Sequence, residues 1–132
     1  MIRLITTDAP ILPWVGIGDI NLCSHISDFY PLLTSKDVTA KLLGAFLIRY
    51  EVNNSIDLCF NLINGKLFKI TALRKYTGTL FEEINIGMHI SEVLIIEPSF
   101  EYDDFEEVYC SDKGIYMRLI LLRIPCFGYR YL

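Results

Sequence analysis

The alternation of apolar and polar positions predicts that β-strands dominate the middle of this chain. In residues 45–52, 56–63 and 66–73, aliphatic and aromatic side chains alternate imperfectly with polar ones, as in half-buried strands. Asn53-Asn54-Ser55 separates the first two segments, and Asn64-Gly65, a strong signal for a two-residue hairpin turn, separates the last two. The pattern therefore predicts antiparallel strands joined by short turns.

The second half of the chain continues the same pattern. Residues 106–111 predict a strand that ends at the turn Asp112-Lys113-Gly114. Residues 115–124 follow as one long apolar strand, and residues 127–132 add a short edge strand.

A self-match organises the chain. Residues 20–30 read INLCSHISDFY, and residues 84–94 read INIGMHISEVL. Ile, Asn, His, Ile and Ser coincide, and the chain's two histidines, His25 and His89, occupy the same position in each segment. Such a match predicts two copies of one supersecondary unit.

Each copy is expected to contain a short helix that begins at its histidine. Asp28 and Glu92 follow the histidines by three positions, which is the spacing of a capping box. We expect the imidazole to cap backbone N–H groups and the carboxylate to reach back to the cap residue. Pro31 and Pro98 come close behind, so each helix should last only a turn or two.

These elements predict an α+β fold. We expect a single, mostly antiparallel sheet with short helices on one face, built from two unequal repeats over about residues 18–80 and 82–132. One further helix is expected over residues 35–43, with Ser35 as its N-cap. Residues 1–132 should form one domain, since no linker or low-complexity segment interrupts them.

Composition narrows the function classes. The chain carries a net charge of −4, which disfavours nucleic-acid binding because phosphate contacts need basic groups. No apolar stretch approaches the roughly 18 residues of a membrane-spanning helix, and the N-terminal residues lack the pattern of a secretory signal. We therefore expect a cytoplasmic protein without membrane contact. The widely spaced cysteines should then be reduced and packed in the core: Cys23, Cys59, Cys110 and Cys126.

The paired histidines are the first candidates for catalytic or metal chemistry. Cys23, the nearest possible ligand in the first copy, is replaced by Gly87 in the second. No recognised nucleophile motif accompanies either histidine. We therefore expect capping or packing roles for His25 and His89, with no enzyme activity, no metal and no cofactor.

An acidic run is the second candidate. Five of the seven residues from position 101 to 107 are carboxylates, in a spacing that does not match an EF-hand loop. The run is either a solvated loop or a docking surface for a basic protein, and neighbouring tyrosines are typical both of core packing and of interaction surfaces. The candidate contact residues are Glu101, Tyr102, Asp103, Asp104, Glu106, Glu107 and Tyr109.

The stretch over residues 65–96, followed by EYDDFEEVYCSDKGIYMRL, resembles small bacterial immunity proteins that accompany polymorphic or contact-dependent growth inhibition toxins. The resemblance spans roughly residues 44–120. Its motifs are the hairpin Gly65-Lys66, the turn Tyr76-Thr77-Gly78, the helix entry Ile86-Gly87-Met88, the tyrosine–acid run at 102–107 and the turn Lys113-Gly114-Ile115. A looser likeness, through Gly87-Met88 and Glu92-Val93, is to the β-lactamase-inhibitor and outer-membrane assembly lipoprotein architecture.

Both resemblances imply binding without catalysis. The first implies an immunity protein that neutralises the C-terminal domain of a cognate toxin, commonly a nuclease, by one-to-one contact. We expect the acidic run to form the polar part of the contact surface. Some proteins of this kind add a toxin hairpin to their own sheet. The alternative is a small-molecule-binding domain or small hydrolase, with a site in the concavity of the sheet near His25 or His89.

Overall fold

The structure, a computed structural model, describes residues 6–118 and 121–125. Its strands are β1 (Ile11–Leu12), β2 (Gly16–Ile17), β3 (Ile20–Asn21), β4 (Val38–Leu42), β5 (Leu47–Val52), β6 (Ile56–Asn61), β7 (Lys66–Ala72), β8 (Glu101–Asp103), β9 (Val108–Ser111), β10 (Ile115–Arg118) and β11 (Leu121–Pro125). Its helical elements are a 3-10 turn (Ile26–Phe29), α1 (Tyr30–Leu33) and α2 (Ile90–Ile96).

Strands β4 to β11 form an antiparallel sheet in the order β4-β5-β6-β7-β11-β10-β9-β8. Strand β11 lies between β7 and β10, pairing Ile124 with Ile70 on one side and Arg123 with Tyr116 on the other. Strands β1, β2 and β3 form a separate three-stranded sheet. The predicted α+β class is confirmed at this level, but the single sheet that we expected is divided.

Residues in the left-handed region lie in the hairpin turns at the positions that the sequence predicted, although β6 ends at Asn61 and the β6–β7 turn therefore spans residues 62–65. Asn53 and Asn54, between β5 and β6, have φ angles of 49° and 54°, as a type I′ turn requires. Gly65, between β6 and β7, has φ 73°, and Gly114, between β9 and β10, has φ 89°. Asparagine and glycine adopt such angles most readily, which is why the turns could be located from the sequence.

The core lies between the apolar face of the large sheet and the helical elements. On that face, Leu58 of β6 pairs with Ile70 of β7, and both are fully buried. Phe29, from the 3-10 turn, meets Phe60 edge-to-face with ring centroids 5.3 Å apart. Val93 of α2 joins the same buried cluster, so each helical region contributes to the core.

The helix predicted over residues 35–43 is wrong. Strand β4 occupies most of this segment and pairs with β5, from Val38 opposite Val52 to Leu42 opposite Ile48. The N–H of Ser35 donates to the carbonyl of Leu32 at the end of α1 and does not begin a new helix. Cross-strand pairing in a sheet outweighs the small differences in helix propensity on which the prediction rested.

The single strand predicted over residues 115–124 is also wrong. The segment forms two antiparallel strands, β10 and β11, with Arg118 opposite Leu121. Both strands are interior members of the sheet, so apolar residues continue from one into the other. A run of this kind does not indicate where the chain reverses. The edge strand predicted over residues 127–132 lies outside the described residues.

The cysteines differ from the expectation of uniform free thiols. Cys23 is disulfide-bonded. Cys59 is a buried free thiol and Cys110 a half-buried one, whereas Cys126 lies outside the described residues. Spacing along the chain does not show which side chains approach each other in the fold, and disulfides are rare in reducing compartments. Cysteine usage therefore gives no support to a cytoplasmic address.

None of the helices in residues 6–118 and 121–125 combines the length and the apolar composition that crossing a membrane requires.

Candidate functional site

The two histidines are helix caps, as the sequence predicted. The imidazole Nδ1 of His25 accepts a hydrogen bond from the backbone N–H of Ser27 at 3.1 Å, and that of His89 accepts from Ser91 at 3.2 Å. Each Nδ1 also lies within 2.9 Å of the hydroxyl oxygen of the same serine. Both cap residues are extended, with ψ near 144°. The rings thus satisfy backbone donors that the first helical turn leaves free.

The expected capping box is not formed. Within the described part of the chain, the carboxylates of Asp28 and Glu92 make no hydrogen bond to the cap residues. The serine two positions after each histidine supplies the side-chain partner, so the repeated motif is His-x-Ser. Both carboxylates remain near the helix start, where negative charge is favourable.

His25 is further constrained by the β6–β7 turn. It forms an isolated antiparallel bridge with Lys66, and its ring lies against Gly65 so closely that an added Cβ there would meet Nε2 at 2.4 Å. Among the described residues, no three His, Cys, Asp or Glu side chains converge as a metal site. The contacts that the structure gives the two histidines are thus local, to backbone groups and to the neighbouring turn.

The acidic run forms one edge of the large sheet. Strand β8, the turn after it and the start of β9 bring all the predicted contact residues into a single hairpin, Glu101–Tyr109, which we call the acidic edge. Glu101 pairs with Cys110, and Tyr102 pairs with Tyr109. Part of the run that sequence reasoning treated as a loop is thus an edge strand.

Not all of the carboxylates on the acidic edge face solvent freely. The Oδ1 atom of Asp103 accepts hydrogen bonds from the backbone N–H groups of Phe105 at 2.9 Å and Glu106 at 3.1 Å. Asp103 therefore holds the turn in shape, as aspartate often does. Glu101, Asp104 and Glu107 are exposed and are the carboxylates available to a partner.

Aromatic side chains accompany these charges. Phe105, at the apex of the turn, is 91% exposed and lies outside the buried core. Tyr102 is 52% exposed and packs against Tyr109 with ring centroids 5.0 Å apart, and Tyr109 contacts the core. Sequence reasoning selected the tyrosines and missed Phe105. The signal was an aromatic residue at the centre of the acidic run.

A cleft of about 480 Å³ opens beside the acidic edge. Its lining combines carboxylates with hydroxyl and thiol groups: Ser99, Glu101, Tyr102, Asp103, Cys110, Ser111 and Asp112. Glu101, Asp103 and Asp112 contribute the charge, so the cleft suits a cationic group.

A polar network adjoins this cleft and includes two of its lining residues, Ser99 and Ser111. The hydroxyls of Ser99 and Ser111 lie 2.6 Å apart, and the N–H of Ser99 donates to Glu97 at 3.3 Å. The ammonium of Lys113 lies 2.7 Å from Glu97 Oε1. The hydrogen bond from Lys113, followed by that from Ser99, lowers the pKa of the Glu97 carboxyl, which stays ionised.

Comparison with known proteins gave no matching family model, no similar curated protein and no similar solved structure. The candidate site therefore rests on its geometry: an exposed aromatic apex, solvent-facing carboxylates and an adjoining cleft lined by acids.

Proposed function

We propose that this chain is a binding protein of the toxin-immunity type, which neutralises a basic protein toxin by direct contact through the acidic edge. The observation that carries the proposal is Phe105, 91% exposed at the tip of a hairpin and flanked by the carboxylates of Asp104 and Glu106. When a partner covers a large apolar side chain that was exposed to water, the free energy of the complex is lowered. Aromatic residues are frequent among the few that dominate binding energy.

The charges around Phe105 support a basic partner. Glu101, Asp104 and Glu107 are exposed, and opposite charge on a partner would speed association and exclude acidic proteins. The adjoining cleft has room for a lysine or arginine side chain. Nucleases carry basic surfaces because they bind phosphate, so the C-terminal domain of a nuclease toxin fits this chemistry. Covering such a surface would block access of nucleic acid.

The alternative, a ligand site or hydrolase centre in the sheet concavity, lacks a supporting observation. It would require a cluster of polar side chains around His25 or His89. Both rings accept backbone hydrogen bonds as helix caps, and His25 also packs on Gly65.

A neighbouring gene that encodes a large toxin with a variable C-terminal domain would supply the partner, and calorimetry of this chain with that domain tests the proposal. We expect Phe105→Ala to weaken binding by at least about tenfold, the effect of truncating an aromatic hot-spot residue. Phe46→Ala is the matched control, since Phe46 is also exposed (58%) but lies in the β4–β5 turn at the opposite edge of the sheet. Equal affinity of the Phe105→Ala variant and the unchanged protein would contradict the proposal.

We also infer that the two matching segments, residues 20–30 and 84–94, are copies of one capping unit. Support comes from their common geometry, with an extended histidine whose Nδ1 accepts from the serine two positions later. The copies differ afterwards, since a 3-10 turn and α1 follow the first and the seven-residue α2 follows the second.

A further inference from the structure

The edge opposite the acidic edge is strand β4, whose outer side has no neighbouring strand among residues 6–118 and 121–125. Its backbone directions follow from two hydrogen bonds at its ends. The N–H of Leu43 donates to Leu47 at 2.8 Å, and the N–H of Asn53 donates to Asp37 at 3.4 Å. Since hydrogen-bonded pairs alternate along an antiparallel ladder, Thr39 and Lys41 point their backbone groups toward β5. The backbone groups of Val38, Ala40 and Leu42 therefore point outward.

This outer side lacks most of the features, such as proline and β-bulges, that normally prevent an edge strand from pairing with another chain. Strand β4 contains no proline, and its register with β5 is continuous over all five residues. Lys41 is its one charged residue. Leu42 is 63% exposed and lies on the same face as its cross-strand partner Ile48. Within the described part of the chain, the edge thus offers backbone groups that no other strand pairs with, together with apolar surface.

We propose that β4 pairs antiparallel with β4 of a second copy of this chain, about a two-fold axis at Ala40, so that the two large sheets become continuous. In this register Ala40 lies opposite Ala40, and Val38 lies opposite Leu42 of the second copy. All three outward-facing residues then exchange backbone hydrogen bonds. A two-fold axis makes the interface self-complementary, as in most homodimers.

Neighbouring registers are less favourable. Moving the axis to Lys41 places the two Lys41 side chains directly opposite each other, where like charges repel. Moving it to Thr39 leaves Leu42 opposite Lys36, beyond the end of the strand. The axis at Ala40 is the one that pairs every outward residue of β4 within the strand itself.

Charge complementarity supports a second copy as the occupant. Thr39 lies opposite Glu51 within the chain, and in the proposed register Lys41 of the second copy lies on the other side of Thr39. Lys41 and Glu51 of different copies are then two strand spacings apart, about 10 Å between backbones. Extended lysine and glutamate side chains span that distance, and the two-fold axis creates the contact twice.

The apolar face is also matched. Leu42 lies beside Ile48 in its own chain and would meet Val38 of the second copy, which lies beside Val52. Pairing over a five-residue strand buries much less than the roughly 800 Å² per partner of a standard interface. We therefore expect a weak dimer, with a dissociation constant in roughly the micromolar to millimolar range.

Sedimentation equilibrium of the full chain over a concentration series tests the proposal. We expect a reversible monomer–dimer equilibrium that Ala40→Pro weakens by about tenfold or more, since proline removes the central outward donors. The N–H of Ala40 makes no bond to β5, so far-UV circular dichroism and the thermal midpoint should stay close to those of the unchanged protein.

Charge variants give a second test that leaves the backbone intact. Lys41→Glu should weaken the dimer several-fold, and the double variant Lys41→Glu with Glu51→Lys should restore it, because both charges are reversed. Lys36→Glu is the control, since it changes the same charge on an exposed lysine outside β4. A monomer at every concentration, a dimer indifferent to Ala40→Pro, or a dimer abolished by Phe105→Ala would each overturn the proposal.

Discussion

The ammonium of Lys113 lies 2.7 Å from a carboxylate oxygen of Glu97, an ion pair that joins the β9–β10 turn to the end of α2. Glu97 is largely buried, and its N–H caps the helix by donating to Val93. Lys113 also lies 5.3 Å from the centre of the Phe81 ring, within the range of a cation–π contact. Lys113 therefore connects three segments of the chain: its own turn, the end of α2 and the segment that contains Phe81.

Replacing this lysine should destabilise the fold at neutral pH. Lys113→Met leaves the Glu97 carboxylate without its cation, and we expect a loss of about 1 kcal/mol, the range for a half-exposed ion pair. Because the folded state lowers the pKa of Glu97, the stabilisation is present above the ordinary carboxyl pKa and disappears as pH falls through the lowered value.

Urea unfolding at pH 7 and at pH 3 measures this effect. The difference between the Lys113→Met variant and the unchanged protein should shrink at the lower pH. Lys36→Met serves as control, since Lys36 is exposed and forms no salt bridge with any residue that the structure describes. A difference of equal size at both pH values would contradict the assigned role of the ion pair.

Tyr76 predicts a loss of stability at alkaline pH. Its hydroxyl donates to the carbonyl of Ala9, and burial, reinforced by the negative charge of Asp8, raises its pKa to about 12. The neutral phenol therefore stabilises the fold below its ordinary pKa, and this contribution is lost as pH rises toward 12.

The variant Tyr76→Phe isolates this contribution. It should be less stable than the unchanged protein at pH 8 by about 1 kcal/mol, the worth of one hydrogen bond. The gap should narrow or reverse by pH 11, since phenylalanine does not titrate. Urea unfolding at the two pH values measures the difference in unfolding free energy between the variant and the unchanged protein. A difference that widens with pH would be incompatible with the raised pKa.

Gly114 predicts a steric effect on the single tryptophan. A Cβ added at Gly114 would lie 2.4 Å from the ring of Trp14, and the residue has φ +89°. Gly44 is a matched control with φ +78° and open space around the same position. We expect Gly114→Ala to cost about 1–3 kcal/mol more than Gly44→Ala, because only the former displaces a ring.

Tryptophan fluorescence and thermal unfolding report this difference directly. Gly114→Ala should shift the emission of Trp14, and Gly44→Ala should leave it unchanged. Equal stability and equal emission of both variants would show that the ring does not pack on Gly114.

Charge reversal of the acidic edge should slow its encounter with a partner. Changing Glu101, Asp104 and Glu107 to lysine removes exposed carboxylates and leaves Asp103, which holds the turn. Association with the toxin domain, followed by stopped flow, should slow by about tenfold or more at low salt and lose its salt dependence.

The matched control reverses three exposed carboxylates elsewhere, Asp19, Asp28 and Glu83. We expect this control to associate nearly as fast as the unchanged protein. If both triple variants slow equally, net charge governs the encounter and the acidic edge has no special role.

The sequence predicted the local features of this fold and missed some of the pairing. The asparagine and glycine turns and the histidine caps depend on neighbouring residues, so their chemistry is visible in the chain. Residues 35–43 have the composition of a helix but form β4, because strand β5, brought alongside by the hairpin, determines their conformation. The division of residues 115–124 likewise depends on contacts with β7, far away in sequence.

The candidate site was predicted in the same uneven way. The acidic run could be recognised from composition. That Asp103 accepts hydrogen bonds from the backbone of its own turn depends on the direction of its side chain, which composition does not give. Phe105 is a core-type residue by its chemistry, and its exposure follows only from its place at the apex of the turn.

The central position of β11 has a consequence for how the protein is made. Strand β11 lies between β7 and β10 and follows both of them in the chain. Before β11 is synthesised, β7 and β10 are therefore edge strands of two separate partial sheets, β4–β7 and β8–β10. While the ribosome is still extending the polypeptide, the strand that joins the two partial sheets is missing, and the backbone groups of their edges remain unpaired. A nascent chain stalled before residue 121 would expose both edges and would be a substrate for chaperones.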